Sequence, residues 1–160
     1  MFNIVLFQPE IPQNTGNIVR TSVAAGCVVH LIRPLGFEIT DKHLKRAGLD
    51  YWKDAKVIVY EDFEEFHKKN PGRYFYASTK AAARYDQILY ESGDYIIFGP
   101  ESKGLDEKLL NENYKSAVRI PMSENNRSLN LSNSVAIIIY EALRQHDFTG
   151  LCEKGRLTKF

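Results

Sequence analysis

The stretch Phe2-Asn-Ile-Val-Leu-Phe7-Gln-Pro-Glu-Ile-Pro12-Gln-Asn-Thr-Gly-Asn-Ile-Val-Arg20-Thr-Ser-Val-Ala-Ala-Gly26-Cys-Val-Val-His-Leu-Ile32 decides the fold. Phe2 to Phe7 is a short apolar run ended by Pro9 and Pro12, which reads as a buried strand. Residues 14–25 carry Ile18, Val19 and Val23 at helical spacing, with Asn14 placed to cap the helix and Gly26 to stop it. Cys27 to Ile32 is a second strand, stopped by Pro34 and Gly36. Strand, helix, strand is the unit of a parallel sheet.

The same alternation continues outward. Thr40-Asp41 caps a short basic helix through Ala47, which Gly48 ends. Strands follow at 56–60, 73–78, 94–98 and 117–120, and helices at 62–69, 105–111 and 131–145. The strands are apolar on both faces, as in a parallel sheet covered on both sides. No repeat or linker divides the 160 residues, so the expectation is one α/β domain with a loose tail after about residue 148.

Lys plus Arg number 21 and Asp plus Glu 20, a net charge of +1. That balance excludes a protein that coats polyanions by charge alone. Cys27 and Cys152 cannot build a disulfide framework or a four-thiolate metal site, and Cys27 reads as a small core residue. The N-terminus lacks the cationic flank of a signal peptide. The longest apolar stretch, Val135 to Tyr140, is far below the ~20 residues that span a bilayer. A cytoplasmic protein away from membranes is expected.

Familiar nucleotide and hydrolase motifs are missing. Pro-Gln-Asn-Thr-Gly-Asn has one glycine where the dinucleotide fingerprint needs three. There is no phosphate-loop Gly-Lys-Ser or Gly-Lys-Thr and no nucleophile elbow. His30, His43, His67 and His146 are scattered, so no metal is expected.

Three segments depart from plain structural logic. Gly16 and Asn17 are poor helix formers at a helix entrance, with Arg20 a turn beyond. Phe98-Gly99-Pro100-Glu101-Ser102-Lys103-Gly104 runs a buried strand into a charged turn, where glycine lets a ligand approach the backbone. After Ile120-Pro121-Met122, Ser128 and Asn130 compete to cap the last helix, and Ser132, Asn133 and Ser134 lie inside its start. Such hydroxyls and amides weaken a helix unless they bond locally or to something outside it.

Together these segments resemble the three motifs of the SPOUT methyltransferases, knotted RNA methyltransferases that use S-adenosyl-L-methionine. The resemblance covers essentially the whole chain. It is closest to the minimal TrmL/YibK type, which methylates the ribose of the tRNA wobble nucleotide. Pro-Glu-Ile-Pro-Gln-Asn-Thr-Gly-Asn-Ile at 9–18, Pro-Leu-Gly-Phe at 34–37, Gly-Leu-Asp-Tyr at 48–51 and Ser-Leu-Asn-Leu-Ser-Asn-Ser-Val-Ala at 128–136 carry it.

The resemblance implies an α/β fold, a mostly parallel sheet with helices on both faces and a C-terminal trefoil knot. It implies a cofactor held by the loop around Ala77 and Ser78, by Gly99, Glu101 and Gly104, and by Ile120, Met122 and Ser128, with Leu129 packing beside it. A near-neutral pocket would suit an adenine and a sulfonium. Asn14, Ser128 and Asn133 complete the polar shell. Arg20 takes the catalytic position, and Glu101 either orients Arg20 or a neighbouring amide, or merely solvates the turn. A guanidinium, an extremely weak acid that keeps its charge, stabilises an alkoxide or clamps a phosphate more readily than it accepts a proton.

A homodimer is implied, with the Arg20 region of one subunit beside the cofactor loops of the other. Tyr140 reads as packing in the core or between subunits. The implied activity is that of a tRNA (cytidine(34)/5-carboxymethylaminomethyluridine(34)-2′-O)-methyltransferase acting on the anticodon loop. Methylation at another tRNA or rRNA position, or a non-catalytic RNA-binding module, are the alternatives. Lys42, His43, Lys45 and Arg46, and Lys154, Arg156 and Lys159, are candidate phosphate contacts.

Overall fold

A computed structural model describes residues 1–39 and 50–159. The helix expected over 41–47 and the basic cluster Lys42, His43, Lys45 and Arg46 lie outside the described residues. In chain order the elements are β1 (Asn3–Phe7), α1 (Pro12–Ala25), β2 (Val28–Ile32), a 3-10 turn (Asp50–Lys53), β3 (Lys56–Tyr60), α2 (Phe63–Lys69) and β4 (Tyr74–Ala77). They continue with β5 (Ala83–Arg84), β6 (Tyr95–Phe98), α3 (Glu107–Glu112), β7 (Ala117–Arg119) and α4 (Leu131–Arg144). The strands form a seven-stranded sheet in the order β3-β2-β1-β6-β4-β7-β5, and each pairing between them is parallel.

Alternation along each strand divides the core into two layers. Ile4 and Leu6 of β1, Val29 and Leu31 of β2, Ile96 and Phe98 of β6 and Val118 of β7 face one side. There they meet Ile18 and Val19 of α1 and Val135, Ile138 and Ile139 of α4. Val5, Ile32, Tyr76, Ile97 and Ala117 face the other side and meet Phe66 of α2 and Leu110 of α3. Each such side chain contributes roughly 1.5–3 kcal/mol of burial, and both faces need helices because both are apolar.

Two expectations about strands change. Lys56–Tyr60 is not covered on both faces: β3 is an edge strand, with Ile58 45% and Val59 37% exposed. The two-residue β5 was not expected, because Ala83-Arg84 is too short to show any alternation. At the C-terminal side, Phe148 and Leu151 pack against the core, while 152–159 are exposed.

Buried polar groups in the sheet are paired. His30 is 2% exposed; its Nδ1 lies 2.9 Å from the Tyr60 hydroxyl and its Nε2 3.2 Å from Asn3 Oδ1. Asn3 donates its amide to Gly93 O, so its oxygen faces His30 and the ring carries its proton on Nε2. Burial pushes the His30 pKa down to about 4. Cys27 packs in the core as expected, and burial pushes its thiol up to about 11.

Candidate active site

β4, β6 and β7 are neighbours, with Ala77 in register with both Phe98 and Val118. Their carboxyl ends therefore release three loops side by side, at the edge where open α/β sheets bind ligands. The Ser78 N–H donates to Val118 O at 2.9 Å and ties the first loop to β7. The loops enclose a cavity of about 540 Å³, a size suited to a nucleoside-like ligand. Ala77, Ser78, Gly99, Glu101, Gly104, Ile120, Met122, Ser128 and Leu129 all line it, and so does Asn14 from α1. Phe98, Val118 and Leu131 supply further apolar wall.

The glycines of the second loop serve the loop itself. A Cβ on Gly99 would lie 2.3 Å from Gly104 C and Leu105 N, so the turn closes against its own start. Gly104 has φ +70, which side chains rarely adopt. Close approach within the turn, rather than to a ligand, accounts for Gly99.

Glu101 is the centre of the polar network. One carboxylate oxygen accepts the Glu10 N–H at 2.8 Å; the other accepts the Ile11 N–H at 3.2 Å and Asn14 Nδ2 at 3.1 Å. These bonds correct the expected role of Asn14. The helix starts at Pro12, Asn14 is buried within it, and its N-cap Ile11 has no side-chain cap of its own. No acidic residue occupies the first turn of α1, so Glu101 supplies the negative charge that the helix dipole favours there.

The network fixes amide orientations in sequence. A carboxylate only accepts, so Asn14 must turn its NH2 toward Glu101 and its oxygen away. That oxygen accepts Asn130 Nδ2 at 2.9 Å, and Asn130 Oδ1 then accepts the Ser132 N–H at 2.9 Å and the Asn133 N–H at 3.4 Å. Asn130, not Ser128, is thus the cap of α4. The Ser132 hydroxyl donates to Asn130 Oδ1 at 2.6 Å and the Ser134 hydroxyl to Asn130 O at 3.2 Å. Local bonding accounts for both hydroxyls at that helix entrance.

A second carboxylate answers the first. Glu10 accepts the Ser102 N–H at 2.9 Å and the Ser102 hydroxyl at 2.7 Å. Those two bonds, with a smaller effect of Lys103, hold the Glu10 carboxyl below the usual range. Neither this pairing nor the link from Asn14 to Asn130 was anticipated from the sequence. Asn130 had been visible as a competing cap, whereas Glu10 carried no local signal.

Two expected site residues lie elsewhere. Arg20 is exposed on α1, six residues past Asn14 and so about 9 Å further along the axis, and it is not on the cavity wall. Asn133 is exposed in the first turn of α4 and is also off the wall; Asn130 is the residue there that bonds Asn14. The wall is also not neutral. Lys80, Lys103 and Arg127 line it against the single acid Glu101, although Lys80 pairs with Glu107. Among the described residues no group of three or more His, Cys, Asp or Glu could hold a metal ion, and no helix is long and apolar enough to cross a membrane.

Residues 1–140 match the SpoU rRNA methylase family. A tRNA (cytidine(34)-2′-O)-methyltransferase of Methylovorus glucosotrophus is 51% identical over 152 residues, covering 94% of this chain and 99% of that protein. A solved structure concerned with the 2-OH methylation of C/U34 on tRNA is 44% identical, with a TM-score of 0.87 over 92% of this chain and 97% of that one. An AdoMet-bound rRNA methyltransferase from Sinorhizobium meliloti, 24% identical, covers 89% of this chain and 56% of its own with a TM-score of 0.78, a likeness of fold. With the family matched across most of its length, the chain belongs to the SpoU rRNA methylase family.

Proposed function

We propose that this protein is an S-adenosyl-L-methionine-dependent tRNA methyltransferase that modifies the ribose 2′-hydroxyl of the wobble nucleotide, cytidine 34 or 5-carboxymethylaminomethyluridine 34. The observation that carries the reading is the cavity walled by three strand-end loops, with the entrance of α1 bonded to it through Glu101. The 51% identity to a tRNA (cytidine(34)-2′-O)-methyltransferase supports the choice of substrate.

The residues present fit the cofactor. Phe98, Val118, Ile120, Leu129 and Leu131 offer an apolar wall for a flat base, and the 99–104 turn offers backbone groups. Ala77, Ser78, Gly99, Glu101, Gly104, Ile120, Met122, Ser128 and Leu129 would hold it. When bound, S-adenosyl-L-methionine supplies the methyl group as a sulfonium electrophile. The protein must then position the 2′-oxygen, stabilise its developing negative charge and let its proton leave. The Arg20 guanidinium suits the second task, and Asn14 and Glu101 keep α1 and the loops in fixed relation.

A homodimer completes the site. Gln13, Asn17, Arg20 and Ala24 form an exposed stripe on α1, and Tyr140 is 43% exposed on α4, the helix packed against α1. Pairing of this face would carry Arg20 to the partner's cavity and cover Tyr140. The C-terminal segment passes through a loop of the chain to form the trefoil knot, which the family resemblance supports. The protein works in the cytoplasm, where tRNA is found, and approaches the anticodon loop through Lys103 and Arg127 at the cavity wall.

Nucleoside mass spectrometry of tRNA from a strain lacking this gene tests the reading. Loss of 2′-O-methylation at position 34, restored by the gene, is the expected result. Unchanged wobble methylation would contradict it, and loss at another position would name a different substrate nucleotide.

A further inference from the structure

We infer that Glu10 is a positioning residue for the cofactor loop: its carboxylate, fixed at the entrance of α1, sets the orientation of Ser102 and with it the 99–104 turn. The inference rests on the reading of this cavity as the S-adenosyl-L-methionine site.

The Glu10 backbone is the fixed side of the contact. Gly36 donates its N–H to Pro9 O at 2.9 Å, and a Cβ on Gly36 would lie 2.6 Å from Glu10 O. The 34–36 segment therefore packs against the Pro9–Glu10 backbone with no space between. On the other side Glu101 takes the Glu10 N–H, and α1 begins two residues later. The 34–36 segment and the start of α1 hold the Glu10 backbone independently of the loop to which Glu101 belongs.

The loop has the freedom that Glu10 lacks. Ser102 is exposed, and Gly99 and Gly104 flank its turn. Glu101 ties the loop to α1, and the Gly104 N–H closes the turn onto Pro100 O at 2.8 Å; exposed Ser102, between these two ties, is held by neither. Glu10 removes the freedom by taking both donors of Ser102, at 2.9 and 2.7 Å. Adjacent residues of two segments thus exchange carboxylates: Glu101 accepts from Glu10 and Ile11, and Glu10 accepts from Ser102. With both donors held by Glu10, Ser102 keeps one orientation at the cavity wall.

The substitutions separate this role from bulk stability. Glu10→Ala removes both acceptors but keeps the N–H that Glu101 holds. Glu10→Gln retains an oxygen for the Ser102 N–H, and its amide can donate to the Ser102 hydroxyl, so it should restore function. Titration calorimetry with S-adenosyl-L-methionine, run beside tRNA methylation kinetics, reads the result. Glu10→Ala is expected to weaken cofactor affinity about five- to tenfold, the scale of one lost charge-assisted bond at a partly exposed site. The KM for the cofactor should rise by the same factor, with kcat and the KM for tRNA within about twofold. Glu10→Gln should return affinity to within about twofold.

Should Glu10→Ala fail to fold, Ser102→Ala gives the same test from the other partner, with about threefold weaker binding expected. Unchanged affinity in Glu10→Ala or Ser102→Ala, or equal losses in Glu10→Ala and Glu10→Gln, would overturn the inference. A wild-type protein that binds no S-adenosyl-L-methionine would instead overturn the reading of the cavity.

Discussion

Substituting Glu101 by Gln changes no volume and one atom, yet the network makes it costly. Both oxygens of Glu101 accept, one from Glu10 and the other from Ile11 and Asn14. A glutamine must aim its NH2 at one of these donor sets. If it faces Glu10, one backbone N–H loses its acceptor; if it faces Ile11 and Asn14, two donors lose theirs. The first arrangement is cheaper, and a donor left facing a donor in a partly buried site costs about 1–3 kcal/mol. Loss of the charge at the α1 entrance adds about 0.3–1 kcal/mol. The sum, about 1–4 kcal/mol, lowers the melting temperature of a chain this size by roughly 3–16 °C. Scanning calorimetry of the purified variant measures it, and cofactor affinity should fall in parallel because the tie between the loop and the Glu10 N–H is lost. A Glu101→Gln protein that melts within 1 °C of wild type and binds the cofactor equally well would refute this anchoring role.

Other outcomes follow from the same geometry. Arg20→Ala should bind cofactor normally, because Arg20 is off the cavity wall, yet lose about 10²–10³ in methylation rate; normal turnover would remove its catalytic assignment. His30 binds no proton in the fold until about pH 4, whereas in the unfolded chain it does so below about 6.5. Its effect on stability is therefore nil above pH 6.5 and increasingly unfavourable as pH falls toward 4, by about 3 kcal/mol at most. Urea unfolding at pH 7 and pH 4.5 should show a loss that His30→Gln reduces; an equal loss in the variant would exclude His30 as the source. Gly99→Ala places a methyl 2.3 Å from Gly104 C, so the turn must open and cofactor binding should fall at least tenfold while far-UV dichroism is retained. Retained affinity in that variant would show that the turn can relax.

The strand–helix alternation was legible because both faces of the central strands are apolar, as Ile4 and Val5 or Ile96 and Ile97 show by entering opposite core layers. The same reading failed for β3, since Lys56–Tyr60 has a buried strand's composition but sits at an edge. Composition does not encode lateral position in a sheet. The three loops were legible through their departures from local propensity, and nine residues expected at the cofactor do line one cavity. What escaped were bonds between distant segments. Asn14 looked like a cap because Asn usually is one, but the charge at that helix end comes from Glu101, 90 residues away from Ile11. Ser128 and Asn130 were equal candidates until Asn14 presented its oxygen to one of them. Asn133 was placed by motif position, and it enters the network only through its backbone N–H.

The most direct measurement uses the purified protein, labelled S-adenosyl-L-methionine and a tRNA substrate with its 2′-deoxy counterpart at nucleotide 34. Label should enter the intact tRNA, map to the ribose of nucleotide 34, and be absent when that single hydroxyl is missing. Equal labelling of both tRNAs, or none of either while the cofactor is bound, would contradict 2′-O-methylation of the wobble nucleotide.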